Sequence, residues 1–270
     1  MSLEKKINRV TVPSIVKMKG VEPIAMLTAY DALMADILDR SGIDIILAGD
    51  SAGMVMGGYE NTISVTMEEM LFYTKAVRRG VNRALLVADM PFLSFQTSAD
   101  DAVKNAGRFL KEAGAEAVKL EGGSIIADTA ARLVEIGIPV MGHLGLTPQS
   151  IHQFGSYRVQ GREVKPAKKI KEDAKLLEQA GVFSIVLEKI PAALAAEITA
   201  EVSIPTIGIG AGSKCDGQVL VSHDMLGLFE KFKPKFVRRY AEMGKTMINS
   251  FAHYIDDVKS GNFPNDDESY

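Results

Sequence analysis

The sequence predicts an α/β protein, a single-domain (β/α)8 TIM barrel, on three observations. Eight short apolar runs alternate with amphipathic stretches, a glycine recurs shortly before many of the runs, and acidic residues stand just past several of them. Short apolar runs between helical segments mark parallel strands buried on both faces. Right-handed crossovers close eight such units into a barrel, with an open doubly wound sheet as the competing arrangement. A chain of 270 residues fits one barrel of about 250 residues, so length requires no second domain and residues 1–270 are expected to form one.

Residues 11–20 predict a short helix covering the bottom of the barrel before the first strand, Ile24–Leu27. Ala32–Arg40 is amphipathic and leads through Gly42 to the second strand, Ile43–Ala48. Met67–Arg79, Gly80 and Ala84–Ala88 form the third unit, and Ala99–Ala113, Gly114 and Ala117–Leu120 the fourth. Ile125–Ile136 and Gly137 precede the fifth strand, Pro139–Gly142. The five linking glycines, Gly181 included, are expected at helix C-caps, because a residue without Cβ enters the left-handed conformation at no steric cost. From Leu144 to Lys165 the chain reads LGLTPQSIHQFGSYRVQGREVK, about 20 residues with little periodicity, which at the catalytic end of a barrel predicts a lid. Pro166–Ala180 and Gly181 lead to Ser184–Leu187, and Ala192–Glu201 to Pro205–Ile209. The glycine-rich run PTIGIGAGSKCDG lacks the third glycine of a dinucleotide loop and is read as a turn. Gln218–Val221 is the eighth strand, followed by the irregular MLGLFEKFKPK, a long helix over Val237–Val258, and a tail from about 260, SGNFPNDDESY, expected to fray.

Hydrophobic residues make up 47% of the chain and charged residues 24%, a globular balance that excludes disorder for its bulk. The net charge is −3 with scattered basic residues, so nucleic acid is not an expected partner. MSLEKKINRV lacks the apolar core of a signal peptide, and no window approaches the roughly 18 apolar residues of a membrane span, so the expected location is cytoplasmic with no membrane contact. The lone Cys215 can form no internal disulfide and has no neighbouring His to activate it. The lysine-rich runs Lys165–Lys175 and Lys231–Lys235 read as solvated faces.

The informative residues follow the strands. ILAGDS puts Asp50 and Ser51 past strand two, LLVADMPF puts Asp89 past strand three, and VKLEGG puts Glu121 past strand four, at spacings of 39 and 32 residues that match one βα unit each. IVLEKIP puts Glu188 past strand six, 67 residues on, or two units. Three carboxylates on adjacent strands raise one another's pKa unless a cation compensates them, and all-oxygen ligands suit Mg2+. No His pair or cysteine cluster has zinc spacing. The competing reading is that such acids cap helices or pair with basic residues. Lys119 lies two residues before Glu121, so both face the barrel mouth, where the lysine would meet the acids or a substrate carboxylate. His143 faces the mouth from strand five; His152 lies in the long loop, and His223 and His253 read as structural.

GDSAGM, ADMPF, VKLEGG, GHLGLTPQS, LEKIP and IGIGAG with DGQVLVSHDMLG, in this order from about Val12 to Pro264, resemble the ketopantoate hydroxymethyltransferase family. The resemblance implies transfer of a one-carbon unit from 5,10-methylenetetrahydrofolate to 3-methyl-2-oxobutanoate, giving 2-dehydropantoate on the way to pantothenate. It further implies Mg2+ contacts from Asp50, Asp89 and Glu121, directly or through water, and keto acid contacts from Asp50, Ser51, Asp89 and Lys119. Glu188 would be the base, with Lys119 and His143 assisting, and the assembly a homo-oligomer, a toroidal decamer. Two other readings stand beside it. One is a Mg2+-dependent 2-oxo acid lyase or mutase of the isocitrate lyase and phosphoenolpyruvate mutase type, although the long loop has no lid cysteine; the other is a barrel that serves only as a scaffold.

Overall fold

In the computed structural model, residues 8–229 and 234–270 are described. The segment 1–7 and residues 230–233, with part of MLGLFEKFKPK and of the Lys231–Lys235 run, lie outside them. Eight parallel strands close on themselves in sequence order: β1 Ile24–Thr28, β2 Ile45–Ala48, β3 Leu85–Asp89, β4 Ala117–Glu121, β5 Val140–Gly145, β6 Ser184–Glu188, β7 Thr206–Ile209 and β8 Gly217–Leu220. β1 pairs with both β2 and β8, which leaves no open edge and rules out the doubly wound sheet.

The helices are α1 Val12–Met18, α2 Ala32–Arg40, α3 Ala52–Val55, α4 Met67–Gly80, α5 Ala99–Ala113, α6 Ala127–Glu135, α7 Ile151–Phe154, α8 Val164–Gln179, α9 Ala192–Glu201, α10 Ser222–Met225 and α11 Met243–Ser260. Their starts carry the expected chemistry. Thr11 and Ser14 form a capping box at α1, Thr66 and Glu69 another at α4, and Ser98 caps α5. α8 begins two residues before Pro166, since a proline in the first turn removes no intrahelical bond. The predicted Ile125–Ile136 helix is split, with Ser124–Ile126 as a tighter 3-10 turn ahead of α6.

By contact the chain forms two compact units, Met1–Leu220 and Val221–Tyr270. In the first, period-two alternation separates two cores. Ile24, Met26, Ile45, Leu47, Leu85, Val87, Met141, Val186 and Val219 fill the barrel interior, and fully buried Ile15 of α1 joins that cluster, so α1 plugs the barrel. Ile46, Leu86, Val118, Leu120, Val140, Ile185 and Leu187 point the other way, into a larger core with the surrounding helices. In the second unit, α11 is capped by left-handed Gly261 and carries Met247, Ile248, Phe251, Tyr254, Ile255 and Val258 exposed. The tail is exposed, yet Asn265 and Glu268 cap a 3-10 turn over Asp266–Glu268 where fraying was expected.

Three expectations are corrected. Gly42, Gly114, Gly137 and Gly181 are left-handed, but Gly80 is not: it is the last residue of α4. A Cβ there would stand 2.2 Å from the Ala32 carbonyl oxygen of α2, so this glycine permits a close helix crossing instead of a cap. The final helix starts at Met243 and not at 237. Lastly, Asp89, Glu121 and Glu188 are the terminal residues of their strands and do not follow them, because the ladder continues after the apolar run ends.

Candidate active site

Continuing the inward alternation upward from the apolar layers gives Asp89 above Val87, Lys119 and Glu121 above Ala117, His143 above Met141, and Glu188 above Val186. The register sets Asp89 beside Lys119 and Glu121 beside His143. Charged groups therefore replace hydrocarbon in the last inward layer, and all but half-buried Glu188 are almost sealed from solvent.

The contacts form a row. Lys119 Nζ lies 2.7 Å from Asp89 Oδ1 and 3.2 Å from His143 Nδ1. His143 Nδ1 is 3.3 Å from Glu121 Oε1, and its Nε2 is 3.3 Å from Glu188 Oε2, within ion-pair reach but off hydrogen-bond alignment. An ammonium can only donate, so in a neutral ring Nδ1 accepts from Lys119 and the proton sits on Nε2; an imidazolium carries it there as well. Either way an N–H faces Glu188. Asp50, just beyond β2, donates its backbone N–H to Asp89 Oδ2 at 3.1 Å.

The charges are unevenly compensated. Burial, then the neighbouring charges of Asp89 and Glu121, raise the Asp50 carboxyl well above its usual range. Burial also raises Asp89, although Lys119 opposes it. Glu121 resists burial through His143, Lys119 and the Gln149 backbone N–H, and is lowered. Burial works against charge on Lys119, but Asp89, Glu121 and Asp50 outweigh it and raise the ammonium. Burial and Lys119 oppose charge on His143, yet Glu121 and Glu188 prevail and push it up to about 9. Asp89 is thus paired with Lys119 yet still raised by burial, and Asp50, raised furthest from its usual range, is the less compensated of the two. Among the described residues no group of three or more His, Cys, Asp or Glu side chains is placed to hold a metal ion by itself. The carboxylate oxygens of Asp50 and Asp89, joined through the Asp50 N–H, are donors of the kind a hard cation such as Mg2+ takes together with water or substrate oxygens.

Ser51 precedes α3, and its Oγ lies 2.8 Å from the hydroxyl of buried Tyr30, a partner that nothing in the sequence indicated. Gln149 was missed too. It sits in a 3-10 turn after β5, and its Nε2 donates to Asp50 Oδ2 at 3.0 Å while its backbone N–H donates to Glu121 Oε2 at 2.9 Å. Its advance signals were a place in the aperiodic long loop and in the motif GHLGLTPQS, neither of which marked it as a partner of the acids. That loop is tied to β6 by Lys189, a non-glycine residue at φ 46, which takes the Gln160 N–H on its carbonyl and donates through Nζ to the Tyr157 carbonyl. Not every candidate joins the cluster. His152 is exposed on α7, His223 lies on α10 and His253 on α11. Cys215 is half-buried, with burial raising its thiol, and Gly210 and Gly212 take left-handed turn conformations.

Residues 9–266 match the family model described as ketopantoate hydroxymethyltransferase. A 3-methyl-2-oxobutanoate hydroxymethyltransferase of Chlorobium phaeobacteroides (strain DSM 266 / SMG 266 / 2430) is 56% identical, covering 100% of this chain and 99% of its own. Enzymes of the same name from Syntrophus aciditrophicus (strain SB) and Clostridium botulinum (strain Langeland / NCTC 10281 / Type F) are 55% and 57% identical, covering 100% and 97% of this chain and 100% and 95% of theirs. Among solved structures, a phosphonopyruvate hydrolase complexed with oxalate and Mg2+ superposes at a TM-score of 0.62 with 11% identity, covering 95% of this chain and 92% of its own. A phosphoenolpyruvate phosphomutase from Streptomyces platensis subsp. rosaceus gives 0.62 at 12% identity, with 93% and 88% covered, a likeness of fold alone.

Proposed function

Because the chain belongs to the ketopantoate hydroxymethyltransferase family, we infer that it transfers a hydroxymethyl group from 5,10-methylenetetrahydrofolate to 3-methyl-2-oxobutanoate, giving 2-dehydropantoate in the first step of pantothenate biosynthesis. The observation that supports this reading best is the row of charged groups on the inward positions of β3 to β6, with Glu188 at one end and Asp89, joined to Asp50, at the other.

Asp50 and Asp89 would hold Mg2+, with Glu121, whose oxygens already meet His143 and Gln149, acting directly or through water. When bound, the cation supplies electrophilic stabilisation of the charge that develops on the keto oxygen. Lys119 offsets the keto acid's carboxylate, and Ser51, oriented by Tyr30, donates or accepts a hydrogen bond at the same end. Glu188 takes the proton from C3 as general base, and the His143 Nε2–H steadies its carboxylate beside the ring. Water cleaves the methylene carbon from the two folate nitrogens, leaving both its protons on tetrahydrofolate, and the deprotonated C3 bonds to the released formaldehyde carbon, whose oxygen becomes the hydroxyl by taking the proton held on Glu188. The loop joined to Lys189 serves as the lid over this end of the barrel.

The assembly proposed is a homo-oligomer, a decamer by family resemblance, and the exposed apolar side of α11 supports a surface that a partner covers. No described helix is long and apolar enough to cross a membrane, which supports the proposed cytoplasmic location. Incubation with Mg2+, 3-methyl-2-oxobutanoate and 5,10-methylenetetrahydrofolate should yield 2-dehydropantoate. Cleavage of isocitrate or 2-methylisocitrate in its place would move the chain to the lyases.

A further inference from the structure

We propose that Gln149 is a positioning residue that orients Asp50 and Glu121 toward a divalent cation, and that Gln96 keeps its amide the right way round. The proposal rests on the Mg2+ reading of this site.

Gln149 is only 5% exposed, and every polar group of its side chain is engaged. Nε2 donates to Asp50 Oδ2 and to the Met90 carbonyl, each at 3.0 Å, and Oε1 accepts from Gln96 Nε2 at 3.1 Å. With the backbone N–H on Glu121 Oε2, one residue of the β5 loop bridges the tops of β2, β3 and β4. The residue type is what such a post requires. A lysine would neutralise the carboxylates and compete with the cation, and a glutamate would add a further buried anion. An apolar side chain would leave Asp50 Oδ2 buried without its donor. An amide donates without changing the charge.

An amide can also flip, and the flipped form would aim Oε1 at Asp50. Two neighbours select against it: the Met90 carbonyl can only accept, so it demands the NH2 side, and Gln96 supplies an N–H to the opposite edge. Gln96 is exposed in the β3 loop, so this lock reaches the carboxylates from outside the buried layer.

The test titrates the full-length protein with Mn2+, a hard cation standing in for Mg2+, by the electron paramagnetic resonance of the free ion, with and without 3-methyl-2-oxobutanoate. Gln149→Met keeps the length and loses the donors. It should weaken the Mn2+ dissociation constant about 10- to 100-fold, while the Tm of the metal-free protein stays within a few degrees of wild type. Gln96→Ala should weaken it a few-fold. A dissociation constant for Gln149→Met within twofold of wild type overturns the proposal. Should that variant not fold, Gln96→Ala decides on its own, and unchanged affinity overturns the proposal. Wild-type protein that shows no saturable Mn2+ binding would remove the cation reading itself, a separate result from wild-type binding that Gln149→Met leaves intact.

Discussion

His143 presents Nε2 to Glu188 Oε2 at 3.3 Å while its other nitrogen meets Lys119 at 3.2 Å, so a single imidazole joins the proposed base to the only ammonium in the buried row. Glu188 faces a proton-bearing nitrogen and is the most exposed member of the row, keeping 15% of its side chain accessible. Removing its charge should therefore disable proton removal without dismantling the site.

Glu188→Gln is expected to reduce turnover by about 100- to 10,000-fold while binding of the keto acid persists. Exchange of the C3 proton of 3-methyl-2-oxobutanoate in D2O, followed by NMR, checks this without the folate. Exchange at the wild-type rate would take the base role from Glu188.

Stability of the metal-free chain should fall through the alkaline range. The folded-state pKa of His143, about 9, exceeds its ordinary 6.5, so the folded chain holds that proton more tightly than the unfolded one. The contribution is complete below pH 6.5 and lost as pH rises through about 9. Denaturant unfolding in EDTA across this window should show the decline, and His143→Asn should flatten it.

Asp50 titrates in the same direction, since a carboxyl raised by burial costs the fold stability as it ionises with rising pH. Asp50→Asn should therefore raise the Tm of the EDTA-treated protein by a few degrees and abolish the further rise given by Mg2+ plus keto acid. Asp89→Ala should likewise eliminate saturable Mg2+ dependence of activity. Wild-type activity that survives exhaustive EDTA treatment would contradict both.

Two glycine substitutions should move in opposite directions. Gly80→Ala drives a methyl into the Ala32 carbonyl of α2 and should cost about 1–3 kcal/mol. Gly107→Ala, inside α5 with nothing within 4 Å of the added carbon, should gain about 0.5–1 kcal/mol. Chemical denaturation of both variants measures the contrast.

The barrel was legible because hydrophobic alternation and cap residues are local, and Ala32–Arg40, Ala99–Ala113 and Ala192–Glu201 fall on the observed helices to the residue. The inward charged set was legible for the same reason: parity along a strand carries Lys119 and Glu121 to one side together. Strand ends were misplaced because backbone pairing at Asp89, Glu121 and Glu188 leaves no mark on side-chain polarity. Gly80 looked like a cap because a sequence does not reveal the approach of a helix some 40 residues away. Gln149 and Tyr30 went unnoticed because each acts through a long-range partner, Asp50 in one case and Ser51 in the other.

The two-residue rhythm that lifts the charged layer above the apolar ones also constrains how such a gene can change. A single codon deleted inside β4 or β6 would turn Lys119, Glu121 or Glu188 outward into the helix layer and bring hydrocarbon into their places. Insertions in the loops above carry no such penalty. In this barrel the number of residues in a strand is as much a part of the chemistry as their kind.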